Sequence, residues 1–139
     1  MSQAVPERRH LPNRRASWTQ KAKIGGQTIH LTFGEYPDGT LGDIFVDVAK
    51  TGSALRALLD SLAIFLSIGI QHGIPVKIYV DAIKGIDFLP KGEVVGSGAV
   101  HGADSILDYI AREIEQNYLV SANPVPEKVA GTISTGSGF

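Results

Sequence analysis

The chain has no cysteine in its 139 residues. That excludes disulfides, thiolate zinc sites, iron–sulfur clusters and thiyl chemistry from its own side chains. It has only four histidines, at positions 10, 30, 72 and 101, too scattered for any metal-ligand spacing. It lacks a strong charge of either sign: the net charge of −1 gives no general attraction to nucleic acid or to an anionic membrane. No DNA partner is expected. No long uncharged apolar run is present either. The most apolar segment, residues 55–70, is interrupted by Arg56 and Asp60 and falls short of the ~20 residues a bilayer span needs. It is expected to be a buried helix, with no membrane role. The first fifteen residues are polar and carry no apolar signal core, so the expected compartment is the cytoplasm, which a cysteine-free chain also suits.

What is present is a globular composition, 43% apolar and 19% charged, long enough for one domain with a core of its own. Residues 1–15 read as a basic arm, with Arg8, Arg9, Arg14 and Arg15 beside Pro6 and Pro12. The domain proper is expected over 16–119, and a flexible tail over 120–139, rich in Gly, Ser and Thr. Residues 21–24 and 28–33 predict two strands around the Gly25-Gly26 turn. Ile29, Leu31 and Phe33 share one face and Thr28, His30 and Thr32 the other. Pro37-Asp38-Gly39 predicts a turn, followed by a strand over 41–48 with Ile44, Val46 and Val48 inward. Phe45 falls on the opposite face beside Asp43 and Asp47, which suggests that this face is covered by a partner, a helix or a second subunit.

The period then changes. Ser53 is a plausible N-cap, and Leu55, Leu58, Leu59, Leu62, Phe65, Leu66 and Ile70 recur at helical spacing. Ala63, Ile64 and Ile68 add apolar surface elsewhere, so burial on more than one side is expected. Gly73 and Pro75 end this helix. A short helix follows, with Val76, Tyr79, Val80 and Ile83 as its stripe. Residues 88–102 read as a glycine-rich connection. A last amphipathic helix over 104–119 turns Ile106, Leu107, Ile110, Ile114 and Tyr118 inward. Strands followed by helices predict an α+β fold, a small antiparallel sheet packed against about three helices.

The sharpest candidate for ligand chemistry is the glycine-rich connection running into a helix start. Free N–H groups and the helix dipole favour an anion there. Gly96, Gly98, His101, Gly102 and Ser105 lie in this segment, and Lys91, Lys21, Lys23, Arg14 and Arg15 could add positive charge. The segment lacks the Gly-Lys-Ser/Thr ending of a P-loop and does not sit in a βαβ unit. The plainer reading is a connection that needs glycine for its turns. Asp43 and Asp47 share a strand face but lie ~13 Å apart at strand rise, too far for a shared-proton dyad. They are expected to be solvated or paired with Lys21, Lys23 or Arg56. Glu35 is read as a turn acid without a base beside it, and Ser97 with His101 lacks an orienting acid.

The stretches LPNRRASWTQKAKIGG, FGEYPDGTLGDIFVDVAKTG, SLAIFLSIGIQHGIP and SILDYIAREI, in that order, closely resemble the TSCPD region of adenosylcobalamin-dependent ribonucleotide reductases, over roughly residues 8–119. That region is an accessory segment outside the catalytic barrel, and the cofactor site and catalytic cysteines lie elsewhere in such enzymes. The resemblance implies a free-standing copy that binds no cofactor itself and meets adenosylcobalamin only through the parent family. Departures are His30 and Thr32 in place of an aromatic and an arginine, and Leu89 and Lys91 in place of Glu and Ala. The Thr-Ser-Cys-Pro-Asp motif is absent. Residues 104–108, Asp-Ser-Ile-Leu-Asp, stand at the comparable helix start, so nothing that needs that cysteine carries over.

The leading expectation is therefore a non-catalytic accessory or regulatory domain that binds a ribonucleotide reductase chain or a nucleotide. The apolar helix and Phe45 make a homo-oligomer plausible. The alternative is an independent module that binds nucleotides or sequesters nucleotide signals. An enzyme acting through Glu35, His30 or Asp47 is the third option.

Overall fold

The computed structural model describes residues 6–49 and 51–120, so the tail expected beyond residue 120 lies outside the described residues. The architecture is α+β, as expected from the sequence. Strands β1 (Ser17–Ile24), β2 (Gln27–Glu35) and β3 (Leu41–Val48) are followed by helices α1 (Ser53–Gln71) and α2 (Val76–Ile83). Strands β4 (Gly92–Val95) and β5 (Gly102–Ala103) come next, then helix α3 (Ile106–Ile114), which continues as one π-helical turn, Glu115–Leu119. The sheet has the order β3-β2-β1-β4-β5, with every neighbouring pair antiparallel.

The period-2 pattern sets the two faces. Ala22 lies opposite Ile29, which lies opposite Val48; Leu31 lies opposite Val46, and Phe33 opposite Ile44. These rows are buried and, with Ile106, Tyr109, Ile110 and Ile114 of α3, form a single apolar core. Each fully buried Leu, Ile or Phe contributes ~1.5–3 kcal/mol. The rows Thr19–Thr32–Phe45 and Lys21–His30–Asp47 line the other face. β4 and β5 lie inside the span that the sequence presents as a connection. At four and two residues they are too short for a strand period to show. Gly25 packs where β-carbon growth is blocked: a Cβ there would stand 2.8 Å from the Lys91 carbonyl.

Helix α1 runs antiparallel to edge strand β3 and is joined to it by a polar stripe. Arg56 Nη1 donates to Asp47 Oδ1 at 2.9 Å, the Ser67 hydroxyl accepts from the Ile44 N–H at 2.9 Å, and Gln71 Nε2 donates to the Gly42 carbonyl at 3.0 Å. Ser67 also donates to the Ala63 carbonyl at 2.8 Å. The β3 backbone groups that face away from β2 would otherwise form an open edge, a template for unwanted strand pairing. Here α1 covers them. The arm joins the same place: Arg8 Nε donates to Gln71 Oε1 at 2.6 Å, and the Arg9 N–H donates to the Gln71 carbonyl at 2.7 Å. Arg9 also stacks 3.8 Å from the Tyr36 ring centre.

Two expectations for α1 are corrected. Its N-cap position is Gly52, with no side-chain cap bond, and Ser53 is its first residue. Nor is the helix buried on several sides. Leu59, Ala63 and Leu66 are buried, while Leu58 and Phe65 are each 68% exposed, and Ile64 and Ile68 are exposed as well. The polar stripe decides the rotation of the helix. By length and composition α1 is apolar enough to cross a membrane, yet its inward face is part of the domain core. Among the described residues no helix covers Phe45, which is 56% exposed.

Replacing Ser67 by Ala should lower stability by ~1–2 kcal/mol, because it strips the Ile44 amide of its acceptor beneath the helix. Ile78→Ala, on the exposed side of α2, should change it by less than ~0.5 kcal/mol. Chemical denaturation of the two variants measures the contrast.

Candidate functional site

The helix start proposed as an anion seat is occupied by the protein's own carboxylate. Ser105 is the N-cap of α3, and its Oγ accepts from the Asp108 N–H at 3.0 Å. The Asp108 side chain, fully buried, curls back over the first turn. It accepts the Asp104 N–H at 2.8 Å, the Gly85 N–H at 2.7 Å and Arg112 Nε at 2.8 Å. Burial pushes its pKa up, but bonds from Asp104, Arg112 and Gly85 outweigh burial, leaving it below the usual carboxylate range. One carboxylate thus ties the end of α2, the loop before α3 and α3 itself.

The other candidates are spread over the sheet. Arg15 Nη2 pairs with Asp43 Oδ2 at 2.9 Å, and its Nη1 donates to the Pro12 carbonyl at 2.8 Å. Asp43 lies over Gly34, where a Cβ would meet its Oδ1 at 1.9 Å. That oxygen is buried and has no hydrogen-bond partner among the described residues. Arg14 is exposed. Lys21 and Lys23 are exposed on the outer face of β1, and Gly96, with φ at +104°, packs 3.0 Å from the Lys21 carbonyl by its would-be Cβ. The Gly96 carbonyl accepts from Gln20 Nε2 at 2.9 Å. Lys91 pairs with Asp87 at 2.8 Å, and that bond raises its pKa. The His101 carbonyl takes the Val94 N–H at 3.0 Å, and Gly102 lies opposite Glu93, so both belong to the β4–β5 pairing. Gly98 is exposed, and Ser105 is buried, donating to the Ile86 carbonyl. Lys21, Lys23 and Gly96 therefore meet at the β1–β4 seam. Arg15 lies eight residues from Lys23 along the strand direction, ~26 Å away, and cannot share one phosphate with it.

Three further buried acids carry internal work that the sequence reading does not assign. Glu113 Oε2 accepts from Ser97 Oγ and from the Tyr109 hydroxyl, both at 2.7 Å, fastening the glycine-rich loop to α3. Glu35 is not a free turn acid. It is buried at the end of β2 and accepts from Trp18 Nε1 at 3.2 Å and from the Tyr118 hydroxyl. Phe33 packs between Trp18 and Tyr118, with ring centres 4.8 and 5.7 Å away. Burial, then the neighbouring carboxylate, drives the pKa of Tyr109 and of Tyr118 up, so both remain hydroxyl donors. Asp43, the third, is held by Arg15. Asp47 pairs with Arg56, one of the expected partners. At the turn, Asp38 is held down to about 2 by its bonds from Thr40 and then by Arg9.

The Ser-x-x-Asp spacing of Ser105 and Asp108 is a cap signature legible in sequence. Glu35 and Glu113 give no such signal, because several of their partners come from distant segments. Among the described residues no group of three or more His, Asp or Glu could hold a metal ion. A groove of about 510 Å³ opens between β3 and α1, lined by Phe45, Ala63, Ile64, Ser67, Ile68 and Gln71 among others.

Residues 4–118 match the TSCPD domain, and the chain belongs to that family. It is 47% identical over 113 residues to a vitamin B12-dependent ribonucleotide reductase of Agrobacterium fabrum, covering 81% of this chain and 9% of that protein. It is 46% identical to the Bradyrhizobium diazoefficiens enzyme of the same name, again over 81% of the chain and 9% of that protein. A Rhodopirellula baltica relative with that name is 35% identical over 94% of this chain and 12% of its own length. The chain thus spans about a tenth of the length of these curated relatives. No solved structure matches it.

Asp108→Asn should lower Tm by on the order of 10 °C at neutral pH, since it puts an amide N–H₂ against buried donors. The carboxylate pKa is depressed in the fold, so its contribution is complete above the unfolded value of ~3.9 and is lost as pH falls through the lower folded value. The Tm gap between the two proteins should therefore be constant above about pH 5 and narrow below about pH 4. Scanning calorimetry across that range measures it.

Proposed function

We propose that this chain is a non-catalytic accessory module of the vitamin B12-dependent ribonucleotide reductase family, acting by binding a reductase polypeptide in the cytoplasm. The observation that carries this reading is the proportion: the matched stretch corresponds to 9–12% of the length of the three relatives named above. A segment of that size in a large enzyme is a docking or regulatory element more readily than a complete active centre. The chemistry of its acids supports the same view. Asp108, Glu113, Glu35 and Asp43 each hold the fold together from within, and none is presented to a substrate with a base at hand.

Adenosylcobalamin supplies radical chemistry where it is bound. The residues described here do not fit it. The groove beside α1, about 510 Å³, has the size of a drug-like ligand site, smaller than a corrin with its adenosyl and nucleotide arms. On this reading the cofactor is held by the larger polypeptide.

A second reading, nucleotide binding, is favoured by one observation. Lys21 and Lys23 stand exposed beside Thr28 and His30 on the outer sheet face, next to the Gly96 turn. A phosphate there would meet two cations and hydroxyl or imidazole donors. Bound at a hundred times its Kd, a nucleotide would stabilise the domain by ~2.7 kcal/mol.

The test uses the purified chain with and without a vitamin B12-dependent ribonucleotide reductase. Alone, with adenosylcobalamin and ribonucleotides, it should form no deoxynucleotide. With the reductase it should co-sediment and alter turnover or its nucleotide dependence. Turnover by the chain alone overturns the accessory reading. Absence of a complex, together with a thermal shift on adding nucleotides that Lys21→Ala and Lys23→Ala abolish, transfers the assignment to the second reading.

A further inference from the structure

The outward face of α1 leaves large apolar side chains in water. Leu58 and Phe65 are each 68% exposed, Ile64 55% and Ile68 40%, and Phe45 beyond the groove is 56% exposed. At ~150–250 Å² for a large side chain, these five alone leave roughly 500 Å² of apolar surface in water. That is at the limit of what a monomer normally exposes in one patch.

The spacing of the face is regular. Leu58, Ser61, Phe65 and Ile68 follow one another at three, four and three residues, the repeat of a helix–helix seam. Ser61, small and exposed, lies within the seam and permits close approach. Positions 54, 57, 58, 61, 64, 65 and 68 carry no charge. The charged residues of the helix flank this strip on its groove side: Arg56 is bonded to Asp47 of β3, and Asp60, one turn before Ile64, lines the groove with Ile64 and Ile68.

We propose that this face pairs with the same face of a second copy of the chain, α1 against α1 about a two-fold axis. A two-fold contact needs a patch complementary to itself. An uncharged seam with a small residue among large ones meets that need, because no like charges are brought together. Ala54, Ala57 and Ser61 extend the strip between the large side chains towards the ~800 Å² per partner that stable dimers bury. The polar stripe bonded to β3 prevents α1 from rotating to bury these residues within its own domain. The inference is independent of what the domain binds as an accessory module.

Light scattering and sedimentation of the intact chain across a concentration series test it. The expected species has twice the 14.8 kDa chain mass. Phe65→Glu, whose side chain points away from the core, should keep the circular dichroism spectrum and raise the dimer dissociation constant by roughly thirtyfold or more, the loss a central hot-spot residue carries. Leu89→Glu, 77% exposed in the loop before β4, on the far side of the sheet from β3, should leave the dimer intact. A monomer at every concentration overturns the proposal. So does a dimer indifferent to Phe65→Glu, which places the contact elsewhere. A monomeric chain that binds a reductase polypeptide only while Phe65 is intact also overturns it, and assigns the face to that partner.

Discussion

The polar stripe between α1 and β3 fixes more of this domain than any single apolar contact. Arg56, Ser67 and Gln71 are spaced so that each meets β3 in turn, at Asp47, Ile44 and Gly42. Apolar packing alone is non-directional, and α1 has apolar residues on almost every side. It could be rotated by tens of degrees at little hydrophobic cost. Directional bonds to a strand edge remove that freedom. They close the edge, give the arm a place to attach through Gln71, and determine which leucines and isoleucines remain outside.

The buried acids follow the same principle. Taking a carboxylate out of water is costly unless donors replace the water. Three of the buried acids have them: backbone N–H groups and Arg112 for Asp108, hydroxyls for Glu113, indole and phenol for Glu35; Asp43 has Arg15 on one oxygen only. In those three the donors come from separate segments, so the acid acts as a joint. Asp108 joins α2 to α3, Glu113 joins the glycine-rich loop to α3, and Glu35 joins the first strands to the final turn. Polar chemistry in this domain faces mainly inward, and its most distinctive outward feature is apolar.

Much of the fold is legible in the sequence. The strands β1 to β3 alternate cleanly, each helix has its period, and Gly73 and Pro75 mark the end of α1. β4 and β5 were not legible, because two to four residues cannot establish alternation and because glycines that serve a hairpin look like glycines that serve a loop. The rotation of α1 was not legible either. Its pattern offers several apolar faces, and only the spatial position of β3 tells which one is inward; Ser67 and Gln71, polar interruptions four residues apart, were the available clue. Among the site residues, the helix start expected to attract an anion is filled by Asp108, and the Ser105-x-x-Asp108 spacing carries that information. The Arg15–Asp43 and Ser97–Glu113 contacts join residues far apart in the chain, and no local pattern announces them.

The direct measurement is amide hydrogen exchange at Ile44, resolved by NMR in the wild-type chain and in Ser67→Ala. The Ile44 N–H faces away from β2, so only the helix can protect it. The account predicts strong protection in the wild type and selective loss of it in the variant, with Asp43 and Phe45 unchanged. Exchange of Ile44 at the rate of an open strand edge in the wild type, or protection indifferent to Ser67, would contradict it.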